Sequence, residues 1–225
     1  MIQTKKQGNL IIISGTTCAG KGTIIKKILE NHNDIVLSIS YTSRPPRGGE
    51  KDGVDYYFVS QEEFEEKIKN DDFLEYAKVR YGNYFGTPKS EIIKQLDTGK
   101  DVILEIDVQG AKQIKEKFPD TILIFIMAPS MEEVKRRIKA RGLENNEQII
   151  DRFKTAYKEI NEINKYNYIV VNDDLLEAVN KVESILTSEK CRVDRIEALS
   201  VENQEEIIHE FLMEKEFDNS GITIE

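Results

Sequence analysis

Apolar residues along this chain fall into short unbroken runs separated by stretches of helical period. Leu10–Ser14 ("LIIIS"), Asp101–Ile106 ("DVILEI"), Thr121–Met127 ("TILIFIM") and Tyr168–Val171 ("YIVV") are such runs. Short runs rich in β-branched residues, with little polar alternation, predict strands covered on both faces. Between them, Lys21–Glu30 gathers Ile24, Ile25, Ile28 and Leu29 on one side and predicts a helix. Ala111–Lys117 predicts a second, stopped by Pro119. Ser130 followed by Glu133 has the form of a capping box opening a third, and "NDDLLEAVNKVESIL" predicts a closing amphipathic helix. Strands alternating with helices indicate an α/β fold: a parallel sheet between two helical layers.

Three segments break that rhythm. Ser40–Asp97 is rich in Tyr and Gly and in short strand-like pieces ("DYYFV", "LEYAKVRYGNYFGT"), which predicts a small mixed α/β subdomain inserted into the core. Within it, Thr87-Pro88 is expected to start a helix, with Pro in the first turn and Gly99 at its end. Arg136–Arg152 is charged, with a central glycine, and predicts a mobile helical hairpin. Beyond about Glu189 the chain reads as a charged helical tail with Ile207, Ile208, Phe211 and Leu212 at helical spacing, suited to packing or dimerisation.

Composition narrows the function classes. Of 225 residues, 39% are apolar and 32% charged, as in a globular protein. No stretch approaches the ~18 apolar residues of a membrane helix. Cys18 and Cys191 are too few for a disulfide framework, which fits a cytoplasmic location. The net charge of −9 argues against a nucleic-acid partner, because phosphate backbones are held by surplus Lys and Arg. An anionic ligand must therefore be held by a local cluster of positive charge. His32 and His209 have no companions at metal-ligand spacing.

The first such cluster is Gly15-Thr16-Thr17-Cys18-Ala19-Gly20-Lys21, directly after a strand and opening a helix. This is the spacing of a phosphate-binding loop: backbone N–H groups turn around an anion, and Lys21 reaches the β- and γ-phosphates. Gly22 replaces the hydroxyl that usually follows the lysine, and Thr23 comes next. A direct protein ligand to Mg2+ is thus missing, which favours a nucleotide kinase over a nucleotide-hydrolysing switch. Cys18 reads as a small space-filling loop residue. The second cluster is Arg44-Pro45-Pro46-Arg47, where prolines hold two guanidinium groups at a set separation, a receptor for one phosphate.

Taken with "TSRPPRGGEKDGVDYYFVS", "FLEYAKV", "GNYFGT", "VILEIDVQGA", "RRIKARG" and "YIVVNDDL", in that order from about Leu10 to Leu186, the chain resembles bacterial guanylate kinases. The resemblance implies a phosphate-loop α/β/α core (8–39, 97–130 and 153–190), a GMP-binding subdomain (40–96), an arginine-bearing lid (131–152) and a helical tail (191–225). It implies ATP as donor, GMP and dGMP as acceptors, Mg2+ as cofactor, and a monomer or homodimer. Residue by residue, it places Gly15–Thr23 on the ATP phosphates, and Ser40, Glu75 and Glu105 on the guanine base. Arg44, Arg47 and Tyr56 fall on the GMP phosphate, with Thr87 near base and phosphate. Arg137, Arg141 and Arg152 fall on the ATP phosphates from the lid, and Asp107 on the magnesium through water. Lys21, Arg44 and the three lid arginines would neutralise charge during transfer.

Phe85 departs from the family, which commonly carries a second tyrosine there on the GMP phosphate; "GTTCAG" and Glu105 in place of Asp are milder departures. Two other readings compete: a guanylate-kinase-like module that binds a partner without turnover, and a kinase for another nucleoside monophosphate. Intact Lys21, Arg44, Arg47, Tyr56 and Glu75 argue against the first, and the carboxylates Glu75 and Glu105 with Ser40 against the second.

Overall fold

A computed structural model of the chain describes residues 8–79, 82–140 and 146–192. Five parallel strands form the main sheet: β1 (Leu10–Gly15), β2 (Ile35–Leu37), β7 (Asp101–Glu105), β8 (Ile122–Met127) and β9 (Tyr168–Val171), in the order β2-β7-β1-β8-β9. Every residue of β1 is buried, as a central strand with helices on both faces requires. The two-residue period sorts its side chains. Ile11 and Ile13 join one apolar cluster with Ile24 and Ile28 of α1 (Lys21–Asn31) and Val182 of α7 (Leu175–Glu189). Leu10 and Ile12 join the other with Ile92 and Leu96 of α3 (Ser90–Asp97) and Ile114 of α4 (Val108–Lys117). Each fully buried Ile contributes ~1.5–3 kcal/mol.

A second sheet of four strands, β3 (Tyr41–Thr42), β4 (Tyr57–Phe58), β5 (Phe73–Lys78) and β6 (Tyr84–Pro88), runs in the order β4-β3-β6-β5. Its antiparallel pairs are β3·β6 and β5·β6. Helix α2 (Gln61–Lys69) packs on it through Phe64, which stacks between Phe73 and Tyr84 at centroid distances of 4.5 and 5.1 Å. A bulge between Phe73 and Glu75 breaks the strand alternation, so Phe73, Leu74 and Glu75 are all buried. Leu74 thereby joins the cluster on the main sheet.

Several expectations shift. Thr87-Pro88 ends strand β6 and does not start a helix; α3 begins at Ser90, because Thr87 is held in register with Glu75. Helix α4 starts at Val108, since Asp107 caps it by accepting from the N–H groups of Gln109 and Gly110 at 2.9 Å. Ser130 Oγ does accept the Glu133 N–H, but the Glu133 carboxylate pairs with Arg136 and Arg137. The complete capping box lies at Ser60 and Glu63, opening α2. The described residues of the charged 136–152 stretch fall in α5 (Met131–Ala140) and α6 (Asn146–Ile160), whose Val134, Ile138 and Ala156 share a small apolar cluster with Ala128. The expected division at 152/153 falls inside α6, and that at 96/97 falls before the last residue of α3, whose buried face covers the main sheet.

Residues 7–186 make one compact unit; a second comprises 1–6 and 187–225, of which Thr187–Arg192 are described. Arg141 and most of the expected tail lie outside the described residues.

Candidate functional site

The carboxyl ends of β1 and β7, neighbours in the main sheet, deliver the first half of the site. Strand β1 ends in Gly15, whose φ of +145° and position leave no room for a Cβ, which would lie 1.9 Å from the Ile126 carbonyl oxygen. The loop that follows bonds to itself and to β8: Thr16 N–H donates to Ile126 O, and Ala19 N–H to Thr16 O, both at 3.1 Å. Gly20, at φ +90°, caps α1 without a side chain. The first-turn amides of α1 have no intrahelical acceptors, and the helix's positive end faces the loop. That geometry suits an anion. Lys21 folds back, donating from Nζ to the carbonyls of Gly15 and Thr16 at 3.0 and 3.2 Å. Burial lowers its pKa, while the charges of Glu159, Glu105, Cys18 and Asp107 pull it back up. Thr16 is buried, and its hydroxyl has no partner within hydrogen-bond distance; Thr23 and Gly22 are exposed. Cys18 has φ +58° and packs against the cluster shared by α5 and α6.

The second half comes from the four-stranded sheet. The bulge in β5 turns Glu75 inward, where Thr87 Oγ1 donates to it at 2.6 Å. Glu75 is 6% exposed, and burial pushes its carboxyl up to about 7, with the Thr87 bond opposing and the Asp107 charge adding. Gly110, in the first turn of α4, permits this approach: a Cβ there would lie 2.9 Å from Glu75 Oε2.

A cavity of about 390 Å3 joins the two halves; Gly15, Lys21, Ser40, Tyr56, Glu75, Phe85, Glu105, Asp107 and Glu159 line it. The structure therefore brings together the loop lysine and three of the residues expected on a base. It treats the two guanidinium groups differently. Arg44 is buried and forms a bidentate pair with Glu50, 2.7 Å from each terminal nitrogen. Its guanidinium lies 5.0 Å from the Tyr56 ring centroid, 5.6 Å from Phe58 and 5.9 Å from Phe85. Arg47 is exposed, and its N–H also donates to Glu50 at 2.7 Å. Glu50, held at about 2 chiefly by the Arg44 bond, thus already occupies the Arg44 fork that the sequence reading assigned whole to a phosphate.

Arg137 and Arg152 both reach the phosphate loop. Arg137 donates to Asn172 O at 2.9 Å and Ala19 O at 3.4 Å, besides pairing with Glu133. Asn172 Nδ2 donates to Ala19 O at 2.7 Å, so the residue after β9 braces the same turn. Arg152 donates to Thr17 Oγ1 at 3.3 Å. Sequence reasoning missed Glu50, Asn172, Gly110 and Glu159. A carboxylate three residues after Arg47 was a usable signal for Glu50; Glu159 meets the loop across 142 positions and carries none.

The Guanylate kinase family model matches residues 7–189. The guanylate kinase of Clostridium perfringens (strain 13 / Type A) is 57% identical over 211 residues, covering 94% of this chain and 97% of that one. That of Clostridium tetani is 58% identical over 207 residues, covering 92% and 99%. The crystal structure of guanylate kinase from Anaplasma phagocytophilum superposes with a TM-score of 0.73 at 34% identity, covering 95% of this chain and 97% of that chain. With a family model spanning most of its length and relatives above half identity, the chain belongs to the guanylate kinase family.

Proposed function

We propose that the protein transfers the γ-phosphoryl group of ATP to GMP, and to dGMP, giving ADP and the nucleoside diphosphate. The observation that carries this reading is the one cavity lined by both Lys21 and Glu75, the latter held by the buried Thr87 hydroxyl. A carboxylate there accepts from the guanine N1–H and exocyclic amine, which adenine cannot offer, and a buried acceptor left unpaired penalises the wrong base. Ser40 and Glu105 complete the base contacts, and Thr87 holds Glu75 in place. Tyr56, Arg47 and the donors of Arg44 that Glu50 does not take hold the acceptor phosphate.

The acceptor oxygen is already anionic, so no strong base is required; catalysis is alignment plus neutralisation of the γ-phosphoryl charge. Gly15–Thr23 cradle the donor, Lys21 spans its β- and γ-phosphates, and Arg137, Arg141 and Arg152 close over them. Water is the competing acceptor, and closure of the four-stranded sheet and the arginine-bearing helices excludes it.

Among the described residues no group of three His, Cys, Asp or Glu side chains could hold a metal ion. That fits a cation bound mainly by nucleotide oxygens and water. Asp107 suits a supporting contact through water, because both of its backbone bonds go to Oδ1. Mg2+ bound in this way supplies charge neutralisation at the β- and γ-phosphates. We place the activity in the cytoplasm, as a monomer or homodimer.

ADP release measured with GMP, dGMP, AMP, CMP and UMP tests the assignment. Turnover with the guanine acceptors alone supports it. Preference for AMP ends it, and no turnover with any acceptor favours a partner-binding module.

A further inference from the structure

Helix α6 sends two side chains to one residue of the phosphate loop. Glu159 Oε2 accepts the Thr17 N–H at 3.0 Å, and Arg152 Nη1 donates to the Thr17 hydroxyl at 3.3 Å. Seven residues separate them, two helical turns, so they share a face of α6. Glu159 also lines the cavity beside Lys21. Its charge is the largest influence opposing the effect of burial on Lys21, and Lys21 in turn is the strongest influence opposing burial at Glu159. A carboxylate thus sits inside an anion cradle, on an amide that a donor phosphate oxygen would take. One N–H cannot serve two anions at full strength, and two anions so placed repel each other.

We infer that Glu159 is a positioning residue that competes with the donor phosphates for the Thr17 amide, so that filling the loop displaces it and frees the face of α6 that carries Arg152. Occupancy of the donor site then sets the position of one lid arginine through a single exchanged hydrogen bond. The inference rests on the donor-site reading above. It makes a prediction opposite to that for a supporting structural contact: removing the carboxylate should tighten phosphate binding.

The test is calorimetric binding of ATP, and of inorganic tripolyphosphate as a probe without base or ribose, to the full chain and to Glu159→Gln and Glu159→Ala. Thermal unfolding checks that each variant is folded. Gln keeps the size and a neutral acceptor; Ala removes both. A charge-assisted bond is about twice as strong as a neutral one, so Glu159→Gln should bind both probes ~3–10-fold more tightly, and Glu159→Ala more tightly again. Should Ala fail to fold, Gln decides alone. Unchanged or weaker binding by folded Glu159→Gln overturns the competition, as does tightening for ATP without tripolyphosphate. If the unaltered protein binds neither probe, the donor-site assignment falls first and this inference with it.

Discussion

Replacing Glu75 by Gln is expected to stabilise the folded protein while weakening its hold on GMP. Glu75 is 6% exposed, and its carboxyl stands at about 7 against an ordinary 4.5, chiefly because burial disfavours the charged form. An acid whose folded pKa is raised binds more protons folded than unfolded. Its contribution is therefore most favourable below about pH 4.5 and is lost as pH rises through about 7. At ~1.4 kcal/mol per pH unit, the interval from 4.5 to about 7 amounts to ~3 kcal/mol at alkaline pH. Gln is neutral, nearly isosteric, and can still accept from Thr87 Oγ1. The variant should match the parent near pH 4.5 and exceed it by ~3 kcal/mol near pH 8, which is ~6–12 °C in Tm for a domain of this size. The assay is thermal unfolding of both proteins across that pH range without nucleotide. A gap that does not widen with pH refutes the reasoning, because it would mean that Glu75 carries no desolvation penalty. In the functional arm, Gln turns an NH2 toward a guanine donor and forfeits a charge-assisted bond. At ~1.5–3 kcal/mol, KM for GMP should rise ~10–100-fold, so one change separates stability from recognition.

Three further expectations concern neighbouring contacts. Glu50→Gln should weaken the contacts that hold the Arg44 guanidinium and the Arg47 amide in place, and the lost positioning should raise KM for GMP about tenfold with kcat largely kept; steady-state kinetics with GMP varied decide it. Asn172→Ala removes the shorter of the two side-chain bonds to the buried Ala19 carbonyl and loosens the turn that Arg137 also grips, so stability should fall by ~1–3 kcal/mol in chemical denaturation and ATP binding should weaken in calorimetry. Phe85→Tyr adds a hydroxyl to a ring 5.6 Å from Tyr56; if it reaches the acceptor phosphate, KM for GMP should fall by up to ~10-fold, and an unchanged KM would show that the ring points elsewhere.

The main sheet was legible in the chain because its strands are buried on both faces. Runs such as "TILIFIM" have no polar alternation to confuse, and the loop at Gly15–Lys21 needs its glycines where the backbone turns. The four-stranded sheet was legible only as composition. Thr87-Pro88 has the local pattern of a helix start because Pro favours a first turn, yet the pairing of Thr87 with Glu75 across β5 and β6 outweighs that local preference. Asp107 shows the same limit: its capping of α4 depends on where β7 stops, which sheet register decides. Tertiary partners explain the site residues that went unseen. Glu50 lies six residues from the arginine it pins, whereas Glu159 and Asn172 meet the phosphate loop across 142 and 153 positions, and no local pattern encodes such meetings.

Gly110 carries a consequence for how base preference can drift in this scaffold. The carboxylate proposed to read the base belongs to the small sheet, but it rests against the bare Cα of a helix rooted in the large one. A methyl group added at 110 would push that carboxylate aside without altering any residue that lines the cavity. Selectivity is then a property of the spacing between two layers as much as of the atoms that face the ligand. A search for variants with altered acceptor choice that samples only the cavity wall would overlook this position.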